Sequence, residues 1–97
     1  MTLAELMARY CDGDAAAFSE LYDRAAPQIF AELIAATSDR ARAAAALEQA
    51  FLRLHEARSA YVKGADPLPW IRDLARQSIR GVRERATQGR VWLSYGR

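Results

Sequence analysis

The chain is poor in the residues that most active sites and cross-links are built from. It has one cysteine, Cys11, and one histidine, His55. A single cysteine excludes an intramolecular disulfide, leaves no cysteine-based metal site, and fits a reducing, cytoplasmic setting. No serine or cysteine is placed to form a nucleophile pair with His55, which reads as a surface or half-buried polar residue on a helix. Valine, isoleucine and threonine are sparse, which argues against a sheet protein. No apolar run approaches the ~20 residues of a membrane span. The first residues lack the basic segment and long apolar stretch of a secretory signal. There is no glycine-rich phosphate loop. Asp12 and Asp14 flank Gly13, but the other ligand positions of a calcium loop are missing, so a turn followed by a helix cap is the better reading. Nothing here is an enzyme signature, and no cofactor or metal is expected.

What is present points to helices. The 97 residues have room for one domain and one modest core. Hydrophobic residues make up 52%, enough for a globular fold, and charged residues 27%. Much of the apolar share is alanine, a strong helix former. The formal net charge is only +2, but it is unevenly spread. From Arg72 to Arg90 six arginines (Arg72, Arg76, Arg80, Arg83, Arg85, Arg90) face Asp73 and Glu84, a local balance of +4, which leaves the rest of the chain at −2. That asymmetry suggests an anionic partner for the C-terminal segment.

Periodicity and capping residues predict an all-α bundle of about four helices, a single domain over 1–97. A short first helix runs from about Leu3 to Tyr10 and stops at Cys11-Asp12-Gly13, with Asp14 as the next N-cap. The second covers about Ala15 to Ala36, with Phe18, Leu21, Tyr22, Ala25, Ile29, Leu33 and Ala36 in one apolar stripe. Pro27 lies inside this pattern and predicts a kink, or else a break into two helices. Thr37-Ser38-Asp39 caps a third helix, about Arg40 to Arg58, with Ala43, Leu47, Ala50, Phe51 and Leu54 inward. Ser59 to Asp66 reads as a loop. Asp66-Pro67 then starts a fourth helix to about Thr87. Trp70, Ile71, Leu74, Ala75, Ile79 and Val82 form its buried stripe, and Gly89 is the expected stop. The tail Arg90 to Arg97 either caps the bundle or frays.

Arg72, Arg76, Arg80 and Arg83 are spaced by four, four and three, so a helix carries them along one face, away from the Trp70–Val82 stripe. Like charges at that spacing repel by a few tenths of a kcal/mol per pair. Asp73 relieves Arg76 only weakly, and Glu84 can pair with Arg80. An uncompensated row suits a polyanion whose phosphates accept the arginine forks. The competing reading is a solvated face with scattered ion pairs. If four arginines met single-strand phosphates, the log–log salt slope would be about −3. Aromatics near a basic row can stack on unpaired bases. Trp70 is in phase with the apolar stripe and reads as a core anchor, while Tyr61, in the loop, is the better stacking candidate.

Three segments carry a family likeness. Asp12-Gly13-Asp14-Ala15-Ala16-Ala17-Phe18-Ser19-Glu20-Leu21-Tyr22 resembles the "GD..AF..LY" motif of extracytoplasmic-function sigma factors. Phe51-Leu52-Arg53-Leu54-His55 followed by Ala57-Arg58 is similar to their "FLRLHRAR" stretch. Pro69-Trp70-Ile71 with Leu74-Ala75-Arg76 is similar to their "PWL..IAR" element. The likeness spans roughly Tyr10 to Arg85, in the right order and spacing, and corresponds to region 2 of those factors. It implies a helical bundle that takes part in transcription initiation by docking on the β′ subunit of core RNA polymerase and binding the non-template strand of the −10 promoter element. The third helix would then face the polymerase through Leu47, Glu48, Gln49, Leu52 and Arg53. The loop with Tyr61 and Lys63 would hold an unstacked base, and Arg72, Arg76, Arg80 and Arg83 would follow the DNA. Where the family has "DLVQE", this chain has Ala45-Ala46-Leu47-Glu48-Gln49, and Gln77 stands where an asparagine is usual. The altered Ala45–Gln49 segment motivates an alternative: a sigma-like decoy or interaction module that binds an anti-sigma factor without promoter recognition. A generic helical DNA-binding regulator is a third reading.

Overall fold

The computed structural model describes the backbone of residues 1–95 and the side chains of residues 1–81. Four helices follow one another: α1 (Leu3–Cys11), α2 (Ala15–Thr37), α3 (Arg40–Glu56) and α4 (Leu68–Tyr95), with a single 3-10 turn at Arg58–Ala60. The described residues contain no strand, so the class is all-α.

The starts are fixed by short polar side chains that satisfy otherwise unpaired amides. Thr2 Oγ1 accepts from the Glu5 amide (3.1 Å), Asp14 Oδ1 from Ala17 (3.1 Å), Asp39 Oδ1 from Arg42 (3.1 Å) and Asp66 Oδ1 from Leu68 (3.0 Å). The α1–α2 turn needs Gly13, whose φ is +99°; its amide donates to the Tyr10 carbonyl at 3.0 Å and closes the end of α1. At the other end of α2 Ser38 takes the left-handed conformation itself, φ +53°, and its amide donates to the Ile34 carbonyl at 2.7 Å.

Two boundaries differ from the sequence reading, and one alternative is decided. α2 is one continuous helix through Pro27, as the first of the two readings has it, and the break into two helices does not occur. Pro27 is exposed, so the carbonyl it deprives of a donor lies on the water side, while Ile29 (1% exposed) and Leu33 (2%) beyond it stay in the core. Their burial offsets the ~3 kcal/mol that an internal proline costs. α3 ends at Glu56, two residues early, and the chain tightens into the 3-10 turn. α4 does not stop near Thr87 or Gly89 but continues to Tyr95. One glycine costs a helix only about 1 kcal/mol, and no proline follows it.

α3 is the central element and packs on both α2 and α4. Its inward alanines Ala43, Ala46 and Ala50 are fully buried, which lets neighbouring backbones approach closely. Larger side chains close the core around them: Leu6 and Met7 from α1, Leu21 and Ile29 from α2, Leu54 from α3, Ile71 from α4. Ala36, expected on the α2 stripe, is exposed, and Phe18, Tyr22 and Ile79 are only partly buried. Val82 lies outside the residues whose side chains are described.

Candidate nucleic-acid interface

The arginine row is real as a helical spacing but uneven in its surroundings. Arg72 is half-buried and turns toward α2, where its Nε donates to Glu32 Oε1 at 2.8 Å. Arg76 is exposed; its guanidinium lies 3.8 Å from Asp73 Oδ1, a loose surface pair of the i,i+3 kind. Arg80 is exposed one turn further on. Arg83 lies outside the described side chains. Arg72 and Arg76, with Glu32, stand around a cavity of about 400 Å³ between α2 and α4 whose apolar wall includes Ile29, Leu33 and Ile79. The outward cationic surface among the described residues of α4 is thus Arg76 and Arg80, with Arg72 held at its edge by an acid.

The loop after α3 is tied down. Tyr61 stacks on Trp70, ring centroids 6.4 Å apart and planes 6° from parallel. Its hydroxyl donates to the Ala65 carbonyl at 2.5 Å and reaches the Ala4 carbonyl at 3.4 Å. Burial pushes this phenol above its ordinary range. Trp70 is therefore only partly a core anchor: it is half-buried against the core and takes Tyr61 on one face. Lys63 is exposed and pairs with Asp12 across 3.4 Å, linking the loop to the α1–α2 turn. Tyr61, Val62, Asp66 and Trp70 border a shallow depression of about 320 Å³.

The residues expected to face a polymerase do not share one surface. Glu48 and Leu52 are exposed and one turn apart, Leu52 at 51%. Leu47 is buried in the core and Gln49 is half-buried. Arg53 is half-buried and points at α4: its Nη2 lies 3.5 Å from where a Cβ on Gly81 would stand. Leu52 borders a groove of about 400 Å³ with Tyr10, Phe18, Phe51 and His55.

Two features were not foreseen. One is Glu32, which faces Arg72 from forty positions away with no sequence signal. The other is an aromatic cluster joining α1, α2 and α3. Tyr10 packs on Phe18 (4.8 Å), Phe18 meets Phe51 edge-on (6.2 Å), and Phe51 meets Tyr22 (4.7 Å). His55 belongs to it: its Nδ1 shares a hydrogen bond with the Tyr10 hydroxyl, and its ring stacks on Tyr10. Burial raises the Tyr10 phenol, with Arg58 opposing. Cys11 is half-buried, its thiol donating to the Arg58 carbonyl at 3.5 Å. Burial and then Asp12 push that thiol up, away from reactive thiolate character. Among the described residues no three His, Cys, Asp or Glu side chains are grouped to hold a metal ion. No described helix is long and apolar enough to cross a membrane.

No protein-family profile, curated protein or solved structure matches the chain.

Proposed function

We propose that this chain is a non-catalytic, region 2-like domain of the sigma family, binding core RNA polymerase and the non-template strand of an opened −10 element. The observation that carries the reading is the pair Arg76 and Arg80, both exposed and one turn apart on α4. A helix that spent these residues on its own stability would bury or firmly pair them. Displayed in water, they suit phosphates, which accept charge-assisted hydrogen bonds from arginine. The three sigma-like motifs add a promoter to this chemistry. With Tyr61 already stacked on Trp70, an unpaired base would find an aromatic platform already built rather than a lone ring.

The test is binding of labelled single-stranded −10 non-template DNA as a function of salt. Changing Arg76 and Arg80 together to alanine is expected to weaken binding across sequences and to flatten the log–log slope by about 1.4. An unchanged slope refutes the assignment.

Exposed Leu52 on its groove favours the second reading, a sigma-like module whose partner is an anti-sigma protein. Pull-down separates the two: core polymerase is captured under the first, and only the anti-sigma protein under the second.

A further inference from the structure

Arg72 already has an anionic partner, Glu32. It is on the outer side of α2, 46% exposed, and its Oε1 takes the Nε proton of Arg72, itself 33% exposed, at 2.8 Å. This is the tightest ion pair among the described residues; the others measure 3.4 and 3.8 Å. The pair does not neutralise a charge locked in the core, since both ends reach water. Pairs so exposed contribute about 0–1 kcal/mol, a hold that a polyanion can displace. Carboxylate and phosphate oxygens are alike to a guanidinium: both are anionic acceptors for its N–H groups.

We propose that Glu32 is a built-in phosphate mimic, an autoinhibitory counter-charge that occupies Arg72 and lowers the affinity of the α4 face for a polyanion until a phosphate oxygen replaces it. The inference rests on the phosphate-binding role proposed above for that face. Arg72 begins the row that continues through Arg76 and Arg80 at one-turn intervals, so its release adds a contact to a site already partly displayed. Arg76 borders the same cavity as Glu32. Glu32 is 46% exposed, so a displaced carboxylate returns to water and the exchange strands no buried charge. With Glu32 in place, the face discriminates by charge density: an isolated anion meets a neutralised Arg72, whereas a strand engaged on Arg76 and Arg80 presents its next phosphate at high local concentration.

The test is a salt titration of an oligodeoxythymidine of about 20 nucleotides, read by fluorescence anisotropy for the wild type, Glu32→Gln, Arg72→Gln and the double variant. Glutamine keeps the size and an acceptor oxygen but not the charge. Glu32→Gln is expected to bind about three- to tenfold tighter at low salt, with a slope steeper by about 0.7. Because any lost negative charge helps a polyanion bind, the decisive comparison is the Arg72→Gln background, where Glu32→Gln is expected to change little. Equal tightening in both backgrounds overturns the proposal, as does unchanged or weaker binding by Glu32→Gln when the wild type binds. Binding by Glu32→Gln alone supports it. If neither protein binds, the phosphate-binding role falls together with it.

Discussion

The α1–α2–α3 seam and the outer face of α4 are made of opposite materials. In the seam Tyr10, Phe18, Tyr22 and Phe51 touch ring to ring at 4.7–6.5 Å, closing over the buried Leu21 and Leu54. On α4 the exposed residues described beyond Trp70 are arginine, aspartate and glutamine, and among the described residues its ion pairs are Arg72–Glu32 and Arg76–Asp73. Two of the three sigma-like segments lie in the seam: Phe18 and Tyr22 from one pack on Phe51 from the other. Their side chains are occupied in holding helices together. Packing alone therefore accounts for those side chains, and the functional proposal depends on the third segment and the arginines after it. Position decides this: a ring at a helix–helix contact is used up, whereas an exposed guanidinium is still available to a partner.

If the seam carries stability and the face carries binding, substitutions in the two should have separable effects. The largest is expected for Leu54→Ala. Leu54 is fully buried, one turn from the fully buried Ala50 on the inward face of α3. The loss of transfer energy and the cavity together cost about 3 kcal/mol, read as a lower urea midpoint by circular dichroism. A cost under about 1 kcal/mol would mean that the seam is loosely packed and that the contrast is false. Next is Arg80→Glu, which places a repelling charge in the row. It is expected to weaken single-strand binding about tenfold at low salt, with folding stability unchanged to within about 0.5 kcal/mol. Parallel losses of binding and stability would make Arg80 a structural residue.

Local features were legible in the sequence and distant pairings were not. Asp14, Asp39 and Asp66 could be read as caps because the amide each one satisfies is only two or three residues away. The inward stripe of α3 followed from its spacing, since Ala43, Leu47, Ala50, Phe51 and Leu54 are all buried. The arginine spacing was equally plain, but not the neighbour of each arginine. Glu32 meets Arg72 because α2 and α4 cross there, and Tyr10 meets His55 across forty-five positions. By sequence Leu47 fits both an inward residue and a partner contact, and at 8% exposure its side chain serves the first role. The run of α4 past Gly89 shows that a glycine without a proline after it is a weak stop.

The loop lies between the two regions in character, and Tyr61→Phe sharpens where it belongs. Phenylalanine keeps the ring on Trp70 but loses the hydrogen bond to the Ala65 carbonyl and the longer reach to Ala4. A cost of about 1 kcal/mol is expected, in thermal melting, with single-strand binding retained. Loss of binding at unchanged stability would instead place the hydroxyl on the ligand.

The smallest and most gradual effect is expected at alkaline pH. Tyr10 and Tyr61 are raised above an ordinary 10.0, and Cys11 above 9.0, in each case chiefly because burial disfavours the charged form. The unfolded chain releases these protons first, so above about pH 9 the folded state holds more protons than the unfolded one, and stability falls as pH rises. Their contribution is complete below the ordinary values and is lost as pH climbs through the folded ones. Melting temperatures from pH 8 to 11 should decline. All three groups lie where α1 meets the rest of the bundle, so Cys11→Ser with Tyr61→Phe should shallow the decline, whereas Arg80→Glu should leave it unchanged. A decline that follows the arginine face instead would break the division between a packed seam and a displayed surface.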